Sequence, residues 1–188
     1  LYNDDQAFNE LGEVADYFLV HNREIYAPLD DSVVVVINNK PRFIRRSRGY
    51  VPEPIHCDCL EQTSILAMGS DLKNAFAVNK GSEALVGPHI GDLENASTHK
   101  TLEWTIERYK NLFSIQPEKI IIDSHPQFFS SRLGERIGES FHLSVIPVQH
   151  HHAHIASVMA EHNLRGLVLG IAMDGTGYGP DGTIWGGE

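Results

Sequence analysis

The chain has little of what would tie it to several large functional classes. Two of its 188 residues are cysteines, too few for the disulfide framework of a small secreted domain. No apolar run is long enough to cross a bilayer. Positive charge is scarce: 15 Lys and Arg stand against 25 Asp and Glu, a net charge of −10. That balance argues against a nucleic-acid binder working by general attraction to phosphate backbones. It reads instead as the solubility charge of acidic helices. The expectation is a cytoplasmic protein with neither nucleic-acid nor membrane partners. Cys57 and Cys59 stand one residue apart in "CDC". They are read as two reduced thiols in a linker, since zinc partners are not nearby and cysteines this close make a poor disulfide candidate.

What the chain does have is an ordinary globular balance, with 41% hydrophobic residues, enough for one or two packed cores. It opens on Leu1 inside a helical pattern and closes on "TIWGGE" in a strand-like run, so it is expected to be a segment of a longer protein. Asn3 as N-cap, acids in the first turn, and Phe8, Leu11, Ala15 and Phe18 at helical spacing predict a helix over about residues 4–20. "SVVVVIN" and "RFIRRS" predict a hairpin turning at Asn38-Asn39-Lys40. The prolines of "GYVPEPIHCDCLEQ" mark a domain boundary near residues 51–63.

Beyond that boundary the pattern is regular. "SILAMGS", "KNAFAVNK" and "EALVGPHIG" read as three strands, and "NASTHKTLEWTIERYKNLF" as a helix capped near Ser97. Strand "KIIIDS", glycine-weakened helix "PQFFSSRLGERIGES", strand "LSVIPVQ" and helix "HHHAHIASVMAEH" follow. Strand "GLVLGIAMD" then turns through "GTGYGPDG" into "TIWGGE". "ILAMGSDLKNAFAV" and "LGIAMDGTGYGPDGTIWGG" share one plan, an apolar strand, a small polar turn and a second strand, which suggests an internal repeat. Two such units facing a cleft match an α/β, actin-like (RNase H-like) ATPase architecture. A single Rossmann-type domain explains the alternating part but not two hairpin openings.

The chemistry centres on "VQHHHAHIASVMAEH". On a helix, His150 and His154 share one face at the i, i+4 spacing that lets two imidazoles meet one metal ion. His151 and His152 point elsewhere and are candidates for supporting or substrate contacts. Asp174, at the end of the following strand, is the carboxylate candidate, because ligands of α/β sheets bind at strand ends. A histidine-rich helix start without metal is the competing reading. Gly175, Thr176 and Gly177 can cradle a phosphate through backbone N–H groups and a hydroxyl, or form an ordinary hairpin turn. Lys73, in the matching turn of the first hairpin, can meet a phosphate or carbonyl oxygen, or stand exposed. Arg46 and Arg48, with Arg45 on the opposite face and Ser47 between them, suit a phosphate, or protect an edge strand by charge.

Taken together, "VQHHHAHIASVMAEH", "DGTGYGPDGTIWGGE", "GSDLKNAFAV" and "FIRRSRGYVPEPI" resemble the hydrogenase-maturation carbamoyltransferase family, HypF, over nearly the whole chain. The resemblance implies that residues 1–54 are the C-terminal part of a YrdC-like domain, which makes carbamoyl-adenylate from ATP. Residues 55–63 would be a linker, and residues 64–188 the first part of an actin-like transferase domain. It implies carbamoyl phosphate and ATP as substrates, with Mg accompanying ATP. The acceptor would be the C-terminal cysteine of the partner HypE, whose carbamoyl group later becomes cyanide on the iron of [NiFe] hydrogenase. The family's H-x-x-x-H pair falls on His150 and His154 and its strand-end aspartate on Asp174, which would hold a divalent iron, zinc or manganese; a further metal aspartate lies downstream in the family. Arg45, Arg46, Ser47 and Arg48 match the end of the YrdC-like domain, where adenylate binding is implied. An O-carbamoyltransferase of antibiotic biosynthesis and a non-catalytic nucleotide- or metal-binding scaffold are the alternatives.

Overall fold

The structure, a computed structural model, describes residues 3–60 and 62–188. The first helix, α1 (Asp4–Leu11), starts at the expected cap, with Asn3 Oδ1 accepting the Gln6 N–H at 3.2 Å. It stops nine residues short of the expected end near residue 20. No residue of α1 is buried, so no core rewards a longer helix, and Gly12 propagates one poorly. The apolar spacing closes another way: the chain returns and sets Phe18 edge-on to Phe8, with ring centroids 4.9 Å apart. The hairpin β1 (Val33–Ile37) and β2 (Lys40–Arg45) forms as expected, pairing Ile37 with Lys40. Asn38 and Asn39 both take positive φ, 51° and 59°, as a two-residue primed turn requires.

The main body is a six-stranded sheet. Its strands are β3 (Ile55–His56), β4 (Ile65–Ala67), β5 (Ala77–Lys80), β6 (Glu83–Val86), β7 (Lys119–Asp123) and β8 (Ser144–Val148), in spatial order β3-β6-β5-β4-β7-β8. Strands β4, β5 and β6 form an antiparallel meander, while β4, β7 and β8 run parallel. Helices α2 (Ala96–Phe113) and α3 (Phe129–Phe141) supply the crossovers, and α4 (His150–Glu161) leaves the end of β8. This is the mixed α/β lobe expected of an actin-like fold. Strand β3 lies inside the stretch read as linker and forms an edge of the sheet. Cys57 and Cys59 are joined as a disulfide, which corrects the reading of reduced thiols. The turn at Asp58–Cys59 brings their Cα atoms to 5.4 Å, inside the span a disulfide bridges.

Helix α2 is capped by Asn95 rather than Ser97: its Oδ1 accepts the N–H groups of Ser97 and Thr98, both at 3.0 Å. Leu102, Ile106 and Tyr109 of α2 and Leu133 of α3 share one core with Leu66, Met68, Phe76, Val78 and Ile120. Each such side chain contributes about 1.5–3 kcal/mol on burial. The glycines of α3, a weakness by propensity, serve packing. A Cβ on Gly134 would stand 2.5 Å from Ile122 Cγ2 and 3.0 Å from Met68 Cγ, so its absence lets α3 press onto the sheet. The start of α3 is capped from afar, with Asp71 accepting the N–H groups of Phe129 and Ser130 at 2.7 and 2.9 Å.

One expected strand is missing. Residues 167–174 form no strand, and Leu167, Leu169, Ile171 and Met173 stand exposed. A strand needs a neighbour along its length for its N–H and C=O groups, and this stretch meets one only at its end, where the Ala172 N–H donates to the Glu188 carbonyl at 2.6 Å and the Asp174 carbonyl accepts the Gly187 N–H at 2.9 Å. Only the second half of the repeated unit takes shape, as a short ribbon of β9 (Gly177–Tyr178) and β10 (Ile184–Trp185).

Candidate metal centre and adjoining cleft

Parallel pairing sets the site. Asp123, the last residue of β7, is in register with Val148, the last of β8, and α4 begins two residues later at His150. The cap of α4 is Gln149, whose side-chain oxygen accepts the His152 N–H at 2.9 Å. One turn along, His154 lies on the same face as His150, and their Nε2 atoms are 3.2 Å apart. Asp174 Oδ2 meets His150 Nε2 at 2.9 Å and His154 Nε2 at 3.3 Å. The spacing argument and the strand-end argument thus converge on one point, although the strand that was to carry Asp174 is absent.

Among the described residues these three form the group able to hold a metal ion. The fit is chemical as well as geometric. Two imidazoles and a carboxylate form a typical donor set for a divalent transition metal, and donors about 2.1 Å from an ion stand roughly 3.0–3.4 Å from one another. Partial burial would raise the Asp174 carboxyl. The charge of His150, the Gly175 N–H and His154 outweigh it and hold the group below its ordinary range, so it is available as an anion.

A cleft of about 410 Å³ opens beside the three candidate ligands. Lys73, Gly69 and Ser70 of the first hairpin turn line one side, and Asp123, His150, His154 and Ser157 the other. Lys73 is thereby brought to the histidines. Its backbone is held at φ 48° and its N–H donates to Asp92 Oδ1 at 2.7 Å. The Gly175–Gly177 turn adjoins through Asp174. Gly175 and Thr176 are exposed, whereas Gly177 is buried against His151.

The arginine cluster lies elsewhere and does not line this cleft. Strand β2 ends at Arg45, so strand alternation does not govern Arg46 and Arg48. Arg45 and Arg48 pair with Asp30 and Asp31 at 3.6 and 2.7 Å, and Arg46 Nη2 donates to the Glu53 carbonyl. Ser47 is fully buried, its N–H donating to Ser32 Oγ at 2.8 Å.

One residue of the site escapes the sequence reading and another takes a different place from the one expected. His151, expected as a supporting or substrate contact, is 4% exposed, with neither ring nitrogen hydrogen-bonded. Asp123 pairs with His150 Nδ1 at 2.7 Å. The strand-end rule that selected Asp174 would also have selected Asp123, which closes the run "KIIID".

Comparison with known proteins agrees with this architecture. Residues 60–161 match the family of the HypF Kae1-like domain. A carbamoyltransferase HypF of Synechocystis sp. is 48% identical over 97% of this chain and 23% of its own length. One of Rhizobium leguminosarum is 43% identical over 99% of this chain and 24% of its own length. The chain therefore spans about a quarter of these relatives. A crystal structure of full-length HypF in a phosphate- and nucleotide-bound form superposes with a TM-score of 0.91 at 46% identity, covering 99% of this chain and 29% of that one. HypF of T. kodakarensis gives 0.91 at 41% identity, over 100% of this chain and 25% of that one.

Proposed function

The chain belongs to the HypF Kae1-like domain family, and from this premise we propose that it supplies part of the active site of an ATP-dependent carbamoyltransferase in [NiFe] hydrogenase maturation. Carbamoyl phosphate and ATP are the proposed substrates, carbamoyl-adenylate the intermediate, and the C-terminal cysteine of HypE the acceptor, in the cytoplasm. The carrying observation is the convergence of His150, His154 and Asp174 at the mouth of a cleft that also holds Lys73. A solved relative described as full-length HypF in a phosphate- and nucleotide-bound form supports a nucleotide as one of the protein's ligands.

Carbamoyl-adenylate is a mixed anhydride. The acceptor thiolate attacks its carbonyl carbon, a C–S bond forms, and the C–O bond to phosphate breaks, releasing AMP. A divalent iron, zinc or manganese ion held by His150, His154 and Asp174 would supply Lewis-acid charge toward carbonyl or phosphate oxygens. The chain's own groups position the reactants. Lys73, on the wall of the cleft, would meet the leaving phosphate, and the exposed Thr176 beside Asp174 would add a hydroxyl donor. Asp123 and the two imidazoles fix one wall of the cleft, so orientation is set before the thiol arrives. Arg45 and Arg48 are proposed to support the adenylate in the preceding YrdC-like portion, whereas Ser47, fully buried, cannot reach it and Arg46 is engaged on the Glu53 carbonyl.

The test is AMP release by the full-length, metal-loaded protein on addition of ATP and carbamoyl phosphate. Release that depends on carbamoyl phosphate and falls in His154→Ala supports the reading, and a folded, metal-loaded protein that releases no AMP overturns it.

A further inference from the structure

We propose that Asp123 is a positioning residue of the metal centre. It holds His150 with its ring proton on Nδ1, so that Nε2 presents a lone pair to the site. This rests on the reading of His150, His154 and Asp174 as metal ligands.

The Asp123 side chain is 7% exposed and its Oδ2 lies 2.7 Å from His150 Nδ1. Its Oδ1 accepts the His125 N–H at 2.8 Å, and its backbone carbonyl accepts the Ser131 hydroxyl at 2.9 Å. Both carboxylate oxygens are acceptors, so the proton between Asp123 and His150 sits on Nδ1. In the neutral ring the opposite nitrogen, 3.2 Å from His154 Nε2 and 2.9 Å from Asp174 Oδ2, is then the one left with a lone pair. A cation can take the place of the protons that otherwise bridge these nitrogens to Asp174. Asp123 therefore aims a lone pair of His150 at the point where His154 and Asp174 converge. A metal-bound histidine oriented by a carboxylate on its other nitrogen is a general arrangement, and the pairing of β7 with β8 delivers it here.

The substitution that exposes the effect is Asp123→Asn. An amide has one acceptor atom, whereas the site needs two. Turned one way, its NH₂ faces the His125 N–H. Turned the other, it donates to His150 Nδ1 and drives the imidazole proton onto Nε2, which removes a ligand.

The experiment titrates Co²⁺ into the full-length protein against a competing chelator and follows the cobalt absorption. His150→Ala/His154→Ala serves as the blank for other sites. Asp123→Asn should weaken the site by about 10–100-fold and shift its cobalt spectrum toward fewer nitrogen donors. Asp123→Glu, which keeps two acceptor oxygens, should recover much of the loss. Ser131→Ala removes a neighbouring bond at the same strand end and should leave affinity unchanged. Wild-type protein that binds no more cobalt than the blank refutes the metal reading itself. Wild-type binding matched by Asp123→Asn overturns the role of Asp123 alone. So does an equal loss in Ser131→Ala, or a failure of Glu to outperform Asn.

Discussion

His150 Nε2 and His154 Nε2 lie 3.2 Å apart, and both stand against the same oxygen of Asp174. Three candidate ligands drawn from one helical turn and one approaching segment are few enough that each matters. If a site binding with about 12 kcal/mol shares that among three ligands, one is worth about 4 kcal/mol, on the order of 1,000-fold in affinity. His154→Ala should lose roughly that much, and the double substitution with His150→Ala should strip the protein of this metal on dialysis. Metal content by elemental analysis checks both. Retention of stoichiometric metal by the double variant would refute the ligand assignment.

Gly177 has no room for a side chain. A Cβ there would lie 2.8 Å from His151 Nε2 and 3.2 Å from His150 Cβ. Gly177→Ala should destabilise by about 1–3 kcal/mol through overpacking. Combining it with His151→Ala should recover part of the loss, because the two residues share one space. Denaturant melts of the four proteins of this cycle give the coupling, and simple additivity would contradict the contact.

Asp71 caps α3 across 58 and 59 positions of sequence. Asp71→Ala leaves two N–H groups at the helix start without their acceptor and should cost about 1–3 kcal/mol. Asp71→Asn, with one acceptor oxygen left, should fall between the two. Thermal unfolding followed by circular dichroism ranks the three, and an alanine variant as stable as wild type would contradict the cap.

Burial pushes the Tyr109 phenol up to about 12, against the opposing charge of Arg46. The folded state thus holds this proton more tightly than the unfolded chain, whose phenols titrate near 10. The resulting stability is complete below pH ~10 and is lost as pH rises through ~12. Stability measured from pH 9 to 12 should decline more steeply in wild type than in Tyr109→Phe, and ultraviolet titration should show one late phenol in the folded protein. Parallel stability curves would count against it.

Much of the fold was legible wherever the signal was local. Asn38-Asn39 adopts the positive φ pair that such a turn demands, and the alternation of strands and helices over residues 64–161 reproduces the observed elements. His150 and His154 were legible because helix geometry fixes i, i+4 neighbours without reference to the rest of the chain. Where the deciding partner is remote, the signal failed. Asp123 acquires its role from a histidine 27 residues on, and Asp71 from a helix more distant still. The first helix was overextended because periodicity cannot tell a face covered by a core from one covered by the returning chain at Phe18. The strand over 167–174 was expected from composition alone, but a strand exists only in company. The cysteine pair shows the reverse case, in which a tight turn brings together two residues judged too close to bridge.

The meeting of His154 with Asp174 has a mechanical side. These two residues bracket the stretch 155–173, which includes the exposed apolar arm of Leu167, Leu169, Ile171 and Met173. An ion gripped by both would fasten that arm back to α4 like a clasp. An ion that binds only the folded site stabilises it by mass action, about 2.7 kcal/mol at a free concentration 100 times Kd. Occupancy of the centre would then be legible in a protease digest, as protection of the arm, before any chemistry is assayed.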